Sequence, residues 1–231
     1  MTRLRALLAA PLDVLIPPSC AGCALPGDAL CSACADGLPF LAEPLCRRCG
    51  HPLPVEAGAC PHCPAVLASA RQAVLYEGSA AALVAALKDR RRRTLAPVMA
   101  GVMAHVLDPP PAGGVLVPVP LSRRRLAARG FNQSLLLAVE LGTRWDLRVL
   151  DALQRVRDGP AQRGASVTDR ARQVAGAFRA RPSVVVPDRV WLVDDVLTTG
   201  ATLSACARAL RRGGAREVGA VCFARAVARV G

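Results

Sequence analysis

Lysine is nearly missing from this 231-residue chain: twenty-nine of its thirty basic side chains are arginine, and Lys88 is the exception. Such a bias fits a GC-rich genome that selects arginine wherever either cation serves. Chance, or a need for a compact point charge that a planar guanidinium cannot supply, would each account for Lys88. Aromatic side chains are scarce too, with two Trp, one Tyr and four Phe. A core must therefore be built from Ala, Val and Leu, and a chain that is 52% hydrophobic has enough of them. No stretch reaches the ~18 consecutive apolar residues that cross a bilayer, so no transmembrane segment is expected. The apolar start at residues 6–16 is broken by Pro11 and Asp13, and Pro17-Pro18-Ser19-Cys20 lacks a small-x-small cleavage pattern. It reads as a short amphipathic helix rather than a secretion signal, and a cytoplasmic location follows as the expectation.

The length suits one α/β domain preceded by a small accessory module, with the boundary between 1–64 and 65–231. Charge divides along the same line. The net charge is +13, yet residues 1–64 hold four arginines against five acids, while 65–231 hold 26 basic residues against 12 acids. A half so basic calls for a phosphorylated metabolite, a nucleic acid or an anionic lipid.

Eight of the ten cysteines fall in four CxxC pairs: Cys20/Cys23, Cys31/Cys34, Cys46/Cys49 and Cys60/Cys63. Each pair forms a knuckle whose thiolates point at one metal, and two knuckles complete a tetrahedral sulfur site. Two structural zinc ions are therefore expected. The turn at Leu25–Asp28 and the stretch Pro52–Gly58 favour sequential pairing of knuckles, with a cross-braced arrangement as the alternative. Four disulfides are the competing reading, disfavoured without a secretion signal. His51 and His62 are surplus to eight sulfurs, and Cys206 and Cys222 read as buried small hydrophobes.

In the second half, residues 70–107 show helical spacing interrupted by Arg90–Arg93, and 109–114 form a Pro/Gly loop. Val115–Val119, Ser183–Val186, Val190–Val193 and Val218–Phe223 read as strands, and Gln133–Leu141 and Leu203–Arg212 as helices. This alternation implies an α/β fold with a mainly parallel sheet. Residues 154–173 read as a long exposed loop.

The most informative stretch runs from Val190 to Leu203. A buried strand delivers Asp194 and Asp195 to its C-terminal edge, where ligands bind in open α/β sheets. A turn of Thr198, Thr199, Gly200, Ala201 and Thr202 follows and opens a helix. Its amides and hydroxyls form an anion site, while the carboxylates suit hydroxyls or a hydrated cation. A ribose 5-phosphate offers both ends. A Walker B reading fails because Lys88 has no Gly-rich loop, and a dinucleotide reading fails for want of Gly-x-Gly-x-x-Gly.

Residues 190–203 resemble the phosphoribosyl pyrophosphate (PRPP) motif of type I phosphoribosyltransferases. The double zinc ribbon, Val117–Leu121, Arg129-Gly130-Phe131-Asn132-Gln133-Ser134 and Arg155…Gln162…Ala177-Phe178 resemble the ComF family in particular. The resemblance implies that Asp194 and Asp195 hold the ribose hydroxyls as the catalytic pair, and that Thr198–Thr202 hold the 5-phosphate. It assigns pyrophosphate to the loop Pro120–Arg125, with Arg123 and Arg124 foremost, and to Lys88 and Arg155. Loop 154–173 would close over the site, although Gly159, Ala165 and Gln173 depart from the family pattern. Magnesium would accompany PRPP, and displacement of pyrophosphate by a nitrogen acceptor would be the reaction. The alternative it carries is an accessory role in competence, with single-stranded DNA and a helicase as partners and Arg90–Arg93, Arg123–Arg125 and Arg208/Arg211/Arg212 as a phosphate-tracking groove.

Overall fold

Val190–Val193 is apolar throughout, a pattern that suits a strand covered on both faces. In the computed structural model, which describes residues 19–54, 60–157, 174 and 176–227, this run lies inside a four-stranded sheet. The strands are β1 (Ala70–Leu75), β2 (Val115–Pro118), β3 (Leu153–Arg155), β4 (Phe178–Ala180), β5 (Arg189–Leu197) and β6 (Glu217–Arg225). The helices are α1 (Ser32–Asp36), α2 (Gly78–Lys88), α3 (Leu95–Val106), α4 (Arg123–Arg129), α5 (Gln133–Trp145) and α6 (Ala201–Arg212). The sheet order is β1-β6-β5-β2 with every neighbour parallel, and β3 and β4 form a separate antiparallel pair. The expected N-terminal helix lies outside the described residues, as do Gly159, Gln162, Ala165 and Gln173.

Side chains alternate between two cores, one on each face of the sheet. Trp191, Val193, Val221 and Phe223 pack with Leu83, Leu87, Met99 and Leu137 of α2, α3 and α5. Val190, Leu192, Ala220 and Cys222 pack with Leu203, Cys206 and Leu210 of α6 and with Phe178. Aliphatic residues do most of this work, as the shortage of aromatics requires.

Two strand assignments need correction. Residues 70–75 extend as β1 instead of joining the helical stretch, because pairing with β6 overrides a weak local preference in Ala-Arg-Gln-Ala-Val-Leu. Ser183–Val186 is a turn and loop flanked by Pro182 and Pro187, with Val185 exposed. Prolines on both sides remove ladder donors, and β-branching alone does not make a strand. The stretch read as a loop from 154 begins inside β3.

The cysteine module is docked on the sheet. Leu41 donates to the Ala73 carbonyl at 3.3 Å and Leu75 to the Pro39 carbonyl at 2.8 Å, so residues 39–41 cover the free edge of β1. Guanidinium groups add stitches: Arg48 donates to the carbonyls of Ala65 and Leu67, Arg71 to those of Arg47 and Arg48, and Arg92 to that of Ser19.

A Cβ on Gly219 would lie 2.3 Å from Trp191 Nε1, so this close approach of β6 to the indole requires glycine. Gly219→Val is expected to destabilise the chain by about 1–3 kcal/mol through overpacking, read as a lower denaturant midpoint with unchanged slope.

Candidate functional site

The four thiols of Cys20, Cys23, Cys31 and Cys34 lie within 4.8 Å of one another, and so do those of Cys46, Cys49, Cys60 and Cys63. Knuckles therefore pair sequentially. A Zn–S length of about 2.3 Å sets the edge of a tetrahedral thiolate cage at ~3.8 Å. The Sγ separations are 3.8 Å for Cys23/Cys31, 3.4 Å for Cys46/Cys63 and 3.6 Å for Cys49/Cys60. All ten cysteines are free thiols, and these spacings are far beyond a disulfide bond. Each cage thus fits one zinc, held by protein sulfur at all four corners. Burial raises the Cys20 thiol, but the amides of Cys31, Cys23 and Gly22 outweigh it and bring the group down to about 6. His51 lies outside both cages and accepts a hydrogen bond from Arg225 at 3.0 Å.

At the C-terminal edge of the sheet, β5 presents Asp194 and Asp195. Asp194 Oδ1 accepts from Ser134 Oγ at 2.8 Å and from the Asp195 amide at 2.9 Å. Among the described residues its Oδ2 has no hydrogen-bond partner. Asp195, 3% exposed, accepts from the Val196 amide at 2.9 Å and pairs with Lys88 Nζ at 2.5 Å. Lys88 reaches it from the last turn of α2. Burial and the adjacent Asp195 charge raise the Asp194 carboxyl to about 7, against the opposing pull of Lys88 and Ser134.

The chain then turns through Thr198 and Thr199 to Gly200, whose φ of 76° lies in the left-handed region and caps α6. A Cβ there would also lie 2.8 Å from Pro64 Cγ, so this position is closed to other residues twice over. Among the described residues no backbone carbonyl accepts from the amides of Thr198, Thr199 or Gly200, and Ala201 makes only a 3.4 Å contact with Thr199 Oγ1. Free amides at a helix start, beside two threonine hydroxyls, form an anion site.

The structure therefore brings Lys88, Asp194, Asp195 and the Thr198–Thr202 turn together. The other anion-binding candidates lie to one side. Arg123 and Arg155 line a cleft of about 690 Å³ with Leu121, Phe131, Asn132 and Gln154, and no residue of Asp194–Thr202 lines it. The Arg155 guanidinium stacks 5.4 Å from the Phe178 ring centroid, and its Nε donates to the Arg157 carbonyl. Arg124 is exposed on α4, outside that cleft. Asn132 joins the cleft to the carboxylates: it caps α5 through the Ser134 amide and donates to the Val119 carbonyl at 3.0 Å. Ser134 escaped notice as a partner of Asp194. A serine at the start of a helix reads as a cap, and only the packing of α5 on β5 turns it toward the carboxylate.

Three guanidiniums of the basic run Arg90–Arg93 also donate to backbone carbonyls. Arg91 donates to the Ala128 carbonyl, Arg92 to that of Ser19, and Arg93 to that of Gly130 while lying 4.8 Å from the Phe131 ring centroid. Arg91 and Arg93 brace the corner between α4 and α5, and Arg92 ties in the cysteine module.

Residues 11–64 match the double zinc ribbon domain, and residues 132–230 match the phosphoribosyl transferase domain. The DNA utilization protein YhgH of Salmonella typhi is 34% identical over 209 residues, covering 85% of this chain and 90% of that protein. The chain belongs to the ComF/YhgH family. Other ComF/YhgH relatives match over shorter spans. Competence protein F of Haemophilus influenzae is 38% identical over 125 residues, about half of each chain (53%). Competence protein ComFC of Streptococcus pneumoniae is 33% identical over 104 residues, 44% of each chain. The family architecture, a parallel α/β sheet behind two four-cysteine clusters, is the one described above. No helix among the described residues is long and apolar enough to cross a membrane.

Asp194 supplies a test of the site's electrostatics. Its folded carboxyl titrates near 7 and its reference value is 3.8, so the unfolded chain loses this proton first and Asp194 costs stability as pH rises between the two. Asp194→Asn should therefore melt higher than the parent at about pH 8, with the gain vanishing near pH 4. Parallel melting curves at the two pH values measure it.

Proposed function

We propose that this chain binds PRPP at the β5–α6 turn, with the 5-phosphate on the amides and hydroxyls of Thr198–Thr202 and the ribose hydroxyls on Asp194 and Asp195. The observation that carries the reading is the pairing of two opposite demands within nine residues of chain. Free amides at the start of α6 call for an anion, and the open Oδ2 of Asp194 beside them calls for a hydroxyl or a hydrated cation. A sugar phosphate meets both. Lys88 pairs with Asp195, and its compact ammonium beside the acids suits a pyrophosphate oxygen. Arg123 and Arg155, across the neighbouring cleft, supply further cations for that group, and Arg124 adds a long-range one. Magnesium, entering with the pyrophosphate, would add charge neutralisation on the leaving group, and Asp194 is the residue free to hold it.

Two uses of such a site suit a family whose members are called competence and DNA utilization proteins. In the first, a nitrogen acceptor forms a bond to C1 of the ribose while the C1–O bond to pyrophosphate breaks. The electron pair leaves with pyrophosphate and the acceptor's proton goes to solvent. The carboxylates steady positive charge growing on the ring. In the second, occupancy by PRPP is the signal and no bond changes. A cytoplasmic location suits both. A separate reading, contact with single-stranded DNA and its helicase, has one specific observation in its favour: α4 carries Arg123, Arg124, Arg125 and Arg129 and buries none of its residues.

Calorimetric titration with PRPP and magnesium decides among these. Saturable binding is expected, weakened at least tenfold in Asp194→Ala and in Asp195→Ala, a change of about 1.4 kcal/mol. Affinity should rise with pH through about 7 as Asp194 ionises, and Asp194→Asn should flatten that profile. Pyrophosphate release with one member of a nucleobase panel would establish transfer, and binding without release would establish the sensor. Absence of PRPP binding, together with DNA binding that collapses in moderate salt, would overturn the reading in favour of the accessory role.

A further inference from the structure

Arg225 is the least expected charge in the molecule. It is 3% exposed at the C-terminal end of β6, and its Nη2 donates to His51 Nδ1 at 3.0 Å. A guanidinium has no acceptor to offer, so His51 must present a bare Nδ1 and is neutral. Arg225 Nε and Nη1 are also buried, with no hydrogen-bond partner among the described residues. No carboxylate among those residues pairs with it. Buried charge of this kind persists only with a counter-charge, because arginine does not escape by giving up its proton.

His51 ties Arg225 to the second four-cysteine cage: its ring takes the Arg225 hydrogen bond, its carbonyl accepts from the Cys46 amide at 2.8 Å, and it follows Cys49 by two residues. Cys222 is near as well, but its burial in the apolar core keeps that thiol protonated. Four thiolates around a divalent ion retain a double negative charge. Two buried, unpartnered N–H groups and a buried cation thus sit beside His51, next to a cage that fits zinc and would carry net negative charge with it.

The same residue reaches the candidate site. Arg225 stands in register with Leu197, the residue before Thr198, and the Ala226 amide donates to the Leu197 carbonyl at 2.9 Å. A second link runs through the cage itself: Pro64 follows Cys63 and lies directly against Gly200. We propose that Arg225 is the counter-cation of the second zinc–thiolate cage, and that metal in this cage holds the Leu197–Gly200 turn in place through Arg225 and Pro64. Removal of that zinc breaks up the cage and leaves Arg225 without its counter-charge. The end of β6 must then move, and the turn with it.

Both halves are measurable on the full chain without knowing what the turn binds. Zinc release into excess chromophoric chelator should show two phases, one for each cage. Arg225→Gln should accelerate one phase at least tenfold and leave the other unchanged. Arg225→Lys, which keeps the charge, should lie close to the parent, and His51→Gln should fall between. Equal rates for Arg225→Gln and the parent in both phases would overturn the counter-cation assignment. Hydrogen exchange on the parent protein tests the coupling across the turn: the Ser204 amide, which donates to the Gly200 carbonyl, and the Ala226 amide, which donates to that of Leu197, should exchange at least tenfold faster once the zinc whose release Arg225→Gln accelerates is gone. Unchanged exchange at these amides would sink the link to the turn. Failure of PRPP to bind bears on the preceding proposal alone, since neither readout uses it.

Discussion

Two adjacent carboxylates at the end of a buried strand repel each other, and Lys88 and Ser134 at the C-terminal edge of this sheet are placed to relieve that repulsion. Asp195 is relieved by Lys88, which α2 carries across the sheet edge, and Asp194 by the hydroxyl of Ser134 at the start of α5. Neither partner is close in sequence to the acids. Their placement needs α2 and α5 packed on the same face of the sheet, over the core that holds Trp191 and Phe223. What remains of the repulsion appears as an Asp194 carboxyl raised to about 7, a site poised to gain stability when a cation or a sugar hydroxyl arrives.

The zinc ribbons are more than an appendage to this arrangement. Residues 39–41 close the edge of β1, Arg48 and Arg71 tie the second ribbon to its own exit strand, and Pro64 rests on the glycine that caps α6. A module too small to bury a core of its own gains rigidity from metal and lends it to a turn that must keep its amides unpaired. Unpaired amides are otherwise prone to relax toward any nearby carbonyl, so a firm backing for the turn has a physical purpose.

Arginine in this chain serves two ends that composition does not separate. Some guanidiniums, among them Arg48, Arg71, Arg91, Arg92 and Arg93, donate to backbone carbonyls of distant segments. Their planar forks suit that stitching better than an ammonium would. Others, on α4 and on the outer face of α6, stay exposed.

The sequence by itself determined the two four-cysteine clusters, the parallel α/β class and the location of the acid pair and its threonine turn. Each of these is a local pattern: a CxxC knuckle, a run of buried aliphatics, carboxylates at a strand end beside a helix start. Lys88 stood out as a solitary lysine and, through the family resemblance, as a weaker candidate for pyrophosphate. Tertiary structure alone decided that it meets Asp195, that Ser134 serves Asp194, and that residues 70–75 form a strand while Ser183–Val186 does not. It alone set Arg225 against His51 and placed Arg155 over the Phe178 ring. Those outcomes depend on which distant segments the two cores press together, and pairing across the sheet leaves no periodic trace in the residues being paired.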